Sequence, residues 1–286
     1  MTPEEYAAKQ SLISSATARY TLTFAKFMQR PQLSHRDWSS LLSLLYPEVE
    51  RRRAEAASLA RDFYDAQREE AHPELPRFDQ FLESYEYEWF AENMEPVRPR
   101  MSLMDSPEDA LTNLALRVVR EVENAGRRQL IHAVQDDSGL VRGWARVATG
   151  RETCGWCLML VSRGPVYYSA SSSGLDLDDE TAAQMIANGE DISEYMNEWH
   201  TGCDCKVVPV FKRQANWVGK AAMERARDLW GEATKIAIQE EKDDPVHRSG
   251  KRKGKKFTRN ELAINALRRM LASGQIDASE YAALAA

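Results

Sequence analysis

Nothing in the chain is apolar for long enough to cross a bilayer, so no transmembrane helix is expected. The opening residues, Met-Thr-Pro-Glu-Glu-Tyr, carry neither the basic start nor the apolar core of a secretory signal, which implies synthesis in a cytoplasm. A reducing compartment in turn favours metal-bound cysteine over disulfides. Neither Gly-x-Ser-x-Gly nor His-Glu-x-x-His occurs, so the serine-hydrolase elbow and the zinc-protease helix are both missing. No segment repeats, which excludes a solenoid. Positive charge is not in excess: the net charge is −6, which argues against a general nucleic-acid-binding module. Cysteine is scarce, and all four fall between Thr149 and Val210. What remains is a chain of 286 residues, enough for one large or two modest domains.

The cysteine stretch organises the rest. Cys154-x-x-Cys157 opens it and His200-x-x-Cys203-x-Cys205 closes it, so five soft ligands compete for a four-ligand zinc site. A structural zinc ion would pin the two ends of a long excursion together, with Cys154, Cys157 and Cys203 as ligands and His200 or Cys205 as the fourth. Disulfides between the two pairs and a Cys–His catalytic site are the alternatives. Against catalysis, a nucleophilic cysteine is usually single. Glu152 is placed to act as a base on zinc-bound water, but five soft ligands leave no need for an open position. Asp204 reads as a turn residue or an acceptor behind the ligands, and Trp156 and Trp199 as shields for the ion. Arg127, Arg146 and Arg151 brace the fold through salt bridges or hold an anion.

Helical periodicity predicts a helix over 3–29, started by Thr2 or Pro3 with Glu4 and Glu5 at its positive end and ended by Pro31. Ser34 caps a second helix over 35–68, interrupted or bent near Pro47, which buries Leu41, Leu42, Leu44 and Leu45. Prolines then mark a connector containing one helix over 78–93. Its Phe81, Tyr85, Tyr87, Trp89 and Phe90 are either core contacts or a docking surface. Ser106 and Pro107 start a helix reaching about Gln135, with Ala110, Leu114, Val118, Val122 and Leu130 in its apolar stripe. His132 near its end reads as a dipole partner or a packed histidine. A strand is expected over 140–147, a short strand at 164–168, a Ser-rich loop at 169–174 and a short helix at 178–188. A strand at 206–211 follows, with Pro209 marking an edge or an end, then a helix over 217–241. A polar linker leads to a Thr258-capped helix over 259–273 and a last helix at 277–285. That linker carries Arg248, Lys251, Arg252, Lys253, Lys255 and Lys256, which stay solvated or grip a phosphate backbone without reading sequence. No aromatic is interleaved among them for base stacking.

Several of these pieces occur in a telling order: Asn124-Ala-Gly-Arg127 on a helix, Trp144-Ala-Arg146-Val as a strand, Cys154-Gly-Trp-Cys157-Leu-Met-Leu, Ser162-Arg-Gly-Pro-Val-Tyr167, and His200-x-x-Cys203-Asp-Cys205-x-Val-Val-Pro-Val. Together, over about residues 110–211, they resemble the phage Mu F-like minor capsid, or head morphogenesis, proteins of tailed phages, particularly phages of actinobacteria. The resemblance implies a protein of few copies in the virion head, associated with the portal protein, the major capsid or scaffold protein, and the packaged DNA. Similar genes in actinobacterial phages are often labelled capsid maturation protease, and cleavage of head proteins is the alternative activity.

The expectation is therefore a mostly α protein with a small, zinc-clipped α+β unit. Its regions would be a helical assembly region (1–105), a Mu F-like domain with the Cys/His cluster (106–241), a basic linker (242–257) and a helical tail (258–286), read as a tethered adaptor that docks elsewhere.

Overall fold

The computed structural model describes residues 1–27, 33–81, 85–101, 108–150, 153–167, 199, 202–203, 205–248 and 253–284. The expected helix end at Pro31, the Ser106–Pro107 cap, the Ser-rich loop and the helix at 178–188 lie outside the described residues. The described chain is mostly helical with one small antiparallel sheet. It forms two compact units, in the main residues 1–137 and residues 138–199 with 203–285.

The first unit is helical. It contains α1 (Pro3–Phe27), α2 (His35–Ala71), α3 (Tyr87–Met94), α4 (Arg98–Met101) and α5 (Glu108–Asp136). The Glu5 N–H donates to Thr2 Oγ1 at 3.2 Å and the Thr2 N–H to the Glu5 carboxylate at 2.9 Å, a reciprocal cap that starts α1. Ser34 and Asp37 repeat the device at α2. Pro47 sits inside α2 without ending it, because Leu41, Leu42, Leu45, Val49, Ala56, Ala60 and Phe63 bury one face along its 37 residues. Leu44, expected on that face, is about half exposed.

α1, α2 and α5 pack on one another. Gly126 permits the closest approach: a Cβ there would stand 3.1 Å from the Ala56 carbonyl oxygen and 3.2 Å from Tyr6 Oη. Tyr6 stacks on Phe63 with 4.6 Å between ring centroids, and burial pushes its phenol above the usual tyrosine range. Tyr64 Oη and Arg68 Nε both donate to the Asp137 carboxylate, at 2.8 and 2.6 Å, which ties the end of α2 to the end of α5. Among the described residues the aromatic segment is helical only from Tyr87. Tyr85 and Phe90 are buried, whereas Phe81 and Trp89 stay 52% and 46% exposed.

The second unit holds β1 (Val141–Val147), α6 (Gly155–Ser162), β2 (Lys206–Phe211), α7 (Lys220–Glu241) and α8 (Arg259–Ala272). β1 pairs antiparallel with β2 from Val141↔Phe211 to Val147↔Lys206, with an irregularity between Val141 and Gly143. Pro209, which has no N–H to give, faces Trp144. On the other edge of β1 the Trp144 N–H donates to the Tyr167 carbonyl at 2.9 Å, so the end of the 165–167 segment lies along β1. A lone strand pair is marginal in water. Here every residue of both strands except Arg142 is buried, with α6 against β1 and α7 and α8 against α6 and each other.

The tail read as an adaptor docking elsewhere belongs to this unit. The Ala283 and Leu284 N–H groups donate to the Ala148 carbonyl at 3.1 and 3.3 Å, and Leu284 is fully buried. Its expected helix is a 3₁₀ turn, Ala278–Tyr281. The stretch read as a linker closes on itself: the His247 N–H donates to the Lys255 carbonyl at 2.9 Å and the Gly254 N–H to the His247 carbonyl at 2.8 Å. No described helix is long and apolar enough to cross a membrane.

Candidate metal centre

Cys154 is the N-cap of α6, and its sulfur accepts from the Cys157 N–H at 3.5 Å. That turn places the two sulfurs 3.6 Å apart. Cys205 immediately precedes β2, whose ladder with β1 fixes the returning chain. Cys157, Cys203 and Cys205 are all buried, and their sulfurs lie within 4.8 Å of one another. Cys157 Sγ is 3.8 Å from Cys203 Sγ.

These separations fit a tetrahedral metal. Sulfurs at about 2.3 Å from a zinc ion stand roughly 3.8 Å from each other. They are far beyond the bond length of a disulfide, about 2.0 Å. Contact with Cys154, then with Cys203 and Cys205, and then burial push the Cys157 thiol well above the ordinary range. Only a cation at the centre of such a cluster makes thiolates favourable there, and a divalent metal supplies that charge. The residues present thus fit zinc, with Cys157, Cys203 and Cys205 as the buried face and Cys154 joining from the helix cap. His200 and Asp204, with Arg151 and Glu152, lie outside the described residues.

Gly155 decides how the clip meets the rest of the unit. A Cβ at this position would stand 3.1 Å from Leu267 Cβ and 3.2 Å from the Arg268 nitrogen, so glycine lets α8 press against the first turn of α6. The sequence signal, a glycine inside Cys-x-x-Cys, carried no sign of that partner. Trp156 and Trp199 are both buried. Trp199 stacks with Trp144 at 6.1 Å between centroids and lies under the Arg146 guanidinium at 3.7 Å.

The remaining candidates scatter. Arg127 donates to the Glu123 carboxylate at 2.7 Å on α5 and braces the first unit. His132 lies 3.2 Å from the Asp136 carboxylate, near the end of α5. Arg248, Lys253, Lys255 and Lys256 are exposed on the hairpin between α7 and α8, with Lys256 Nζ 2.7 Å from the Asp244 carboxylate. Lys251 and Arg252 lie outside the described residues.

A family model described as "VG15 protein" matches residues 1–233. The "Gene 15 protein" of Mycobacterium phage D29 is 51% identical over 281 residues, covering 95% of this chain and 99% of the relative. The "Gene 15 protein" of Mycobacterium phage L5 is 49% identical over 300 aligned residues, covering 99% of each. No solved structure matches.

Proposed function

The chain belongs to the VG15 family and is a phage protein; from that premise we propose that it is a minor structural protein of a tailed-phage head, of the Mu F-like kind. The observation that carries the reading is the buried cluster of Cys157, Cys203 and Cys205, with the Cys154 sulfur 3.6 Å from that of Cys157. With Cys154 as the fourth ligand, four sulfurs would fill the coordination shell of a structural zinc and leave no position for a reacting water, which is the arrangement of a clip rather than of a hydrolase. Zinc bound by Cys154, Cys157, Cys203 and Cys205 would supply a cross-link to a unit whose described sheet has two strands. The long helices of the first unit offer surface for assembly with the portal and with the capsid or scaffold protein. The exposed cations of the α7–α8 hairpin suit contact with packaged DNA inside the head.

The test is quantitative mass spectrometry of purified virions of a phage that carries this gene. The expected result is a few intact copies per particle and a coat protein with its encoded N-terminus. Absence from mature particles together with a trimmed coat protein would overturn the structural reading in favour of a capsid maturation protease.

A further inference from the structure

The four sulfurs of the metal centre are not equally accessible. Cys157 and Cys205 are 0% exposed and Cys203 5%, whereas Cys154 is only half buried. A small electrophile dissolved in water therefore meets Cys154 before any of the others. Bound to a metal, each of these sulfurs is a thiolate, which is the form that attacks an electrophile.

A second sulfur stands ready behind the exposed one. Cys157 Sγ lies 3.6 Å from Cys154 Sγ, across the first turn of α6. Closing that gap to a disulfide of about 2.0 Å needs a movement of about 1.6 Å. Rotation of one side chain supplies it. As N-cap residue, Cys154 has extended backbone angles (φ −86, ψ 170), so no preceding helical turn confines its χ1. The turn itself stays where it is, because Leu267 and Arg268 of α8 press on Gly155. Cys157 and Cys203, 3.8 Å apart, are almost as close, but both are buried and give an oxidant no entry.

We propose that Cys154 and Cys157 form a peroxide-responsive dithiol, in which Cys154 is the sulfur oxidised and Cys157 the sulfur that resolves it. The Cys154 thiolate attacks one oxygen of hydrogen peroxide and the O–O bond breaks. The sulfur becomes a sulfenic acid and the second oxygen leaves as hydroxide. The Cys157 thiolate then attacks the Cys154 sulfur, so that an S–S bond forms, the S–O bond breaks and a second hydroxide leaves. Two electrons pass from the two sulfurs to the peroxide, and two protons from solvent turn the hydroxides into water. Cys203 and Cys205 remain as two thiolates, too few to complete a tetrahedral site. The returning end of the excursion is then no longer tied to α6 through a metal. This consequence rests on the zinc-clip reading, but the disulfide does not. For a protein of the virion, passage from a reducing cytoplasm to the outside would supply the trigger.

The experiment uses the full chain, purified with a reductant and desalted, and hydrogen peroxide as the oxidant. Remaining thiols are alkylated in denaturant and the tryptic peptides are weighed. Cys154 and Cys157 share the peptide 152–163, and Cys203 and Cys205 share the peptide 164–206. Expected is a peptide 152–163 that is unalkylated and lighter by two hydrogens, restored by dithiothreitol, beside a fully alkylated 164–206. A zinc-sensitive dye should report zinc released as the disulfide forms. Cys154→Ser should slow the loss of thiols about tenfold or more. Where circular dichroism shows that this variant does not fold, the wild-type peptide map decides alone. A cross-link between the two peptides, persistence of all four thiols, or oxidation that dithiothreitol does not reverse would overturn the proposal. Zinc still bound once the disulfide has formed would overturn its effect on the clip. Disulfide formation in a protein that purifies without zinc would instead sink the clip reading and leave the dithiol standing.

Discussion

Gly143 shows how much a single residue can carry in the second unit. Its φ is +140, and a Cβ there would meet the Tyr167 carbonyl oxygen at 2.7 Å and the Pro165 carbonyl oxygen at 2.9 Å. Both the backbone angle and the contacts exclude a side chain, and backbone carbonyls cannot swing away as a flexible side chain would. Gly143→Ala should cost about 2–3 kcal/mol or more, seen as a lower denaturation midpoint for the second unit. A loss below about 0.5 kcal/mol would mean that the 165–167 segment does not lie along β1. The cysteines were legible as candidate ligands because sulfur chemistry and spacing announce them, and three of them do converge. The glycines were not, since what forbids a side chain at Gly143 or Gly155 comes from residues more than twenty positions along the chain.

Elements with a strong local signal formed where expected. The Ser34 and Thr258 caps, β2 at Lys206–Phe211 and α8 all follow from capping chemistry and alternation. The basic stretch after α7 did not stay a linker. α7 and α8 pack on each other, so the chain between them must close over a short span. Its base is fixed by the His247 ring stacked on Phe257, 3.8 Å between centroids, and by His247 Nε2 3.3 Å from the capping Glu261 carboxylate. Local charge repulsion suggested a solvated coil, and helix packing overrode it. This element makes its own prediction. Changing Arg248, Lys253 and Lys255 to Gln removes three exposed cations, so the slope of log affinity for duplex DNA against log salt should shrink by about 2.7. An unchanged slope would take DNA away from the hairpin.

At the scale of the whole molecule, the two units draw their stability from different sources. The first has an extensive helical core that includes Leu41, Leu45, Phe90, Leu114 and Val118. Among the described residues, the second has two strands, three α-helices and the thiol cluster. Chelation with a strong zinc ligand should therefore speed amide exchange of β1, α6 and β2 while leaving α1, α2 and α5 protected, as read by hydrogen-exchange mass spectrometry. Uniform exchange before and after chelation, with no metal released, would remove zinc from the second unit. The observed division after Asp137 also places α5 with α1 and α2, although the resemblance in sequence runs on from α5 into the cysteine region. Its apolar stripe is suited to either neighbour, and periodicity does not say which helix will cover it.

By itself, then, the sequence determined the helical character, the Ser34 and Thr258 caps, the strands and the candidate sulfur ligands, because each rests on chemistry within a few residues. Tertiary structure alone decided which sulfurs converge, where the C-terminal tail docks, and that the basic stretch closes into a hairpin. The hairpin apart, those outcomes depend on distances between residues about 45 to 135 positions apart, and only packing of the assembled elements sets them.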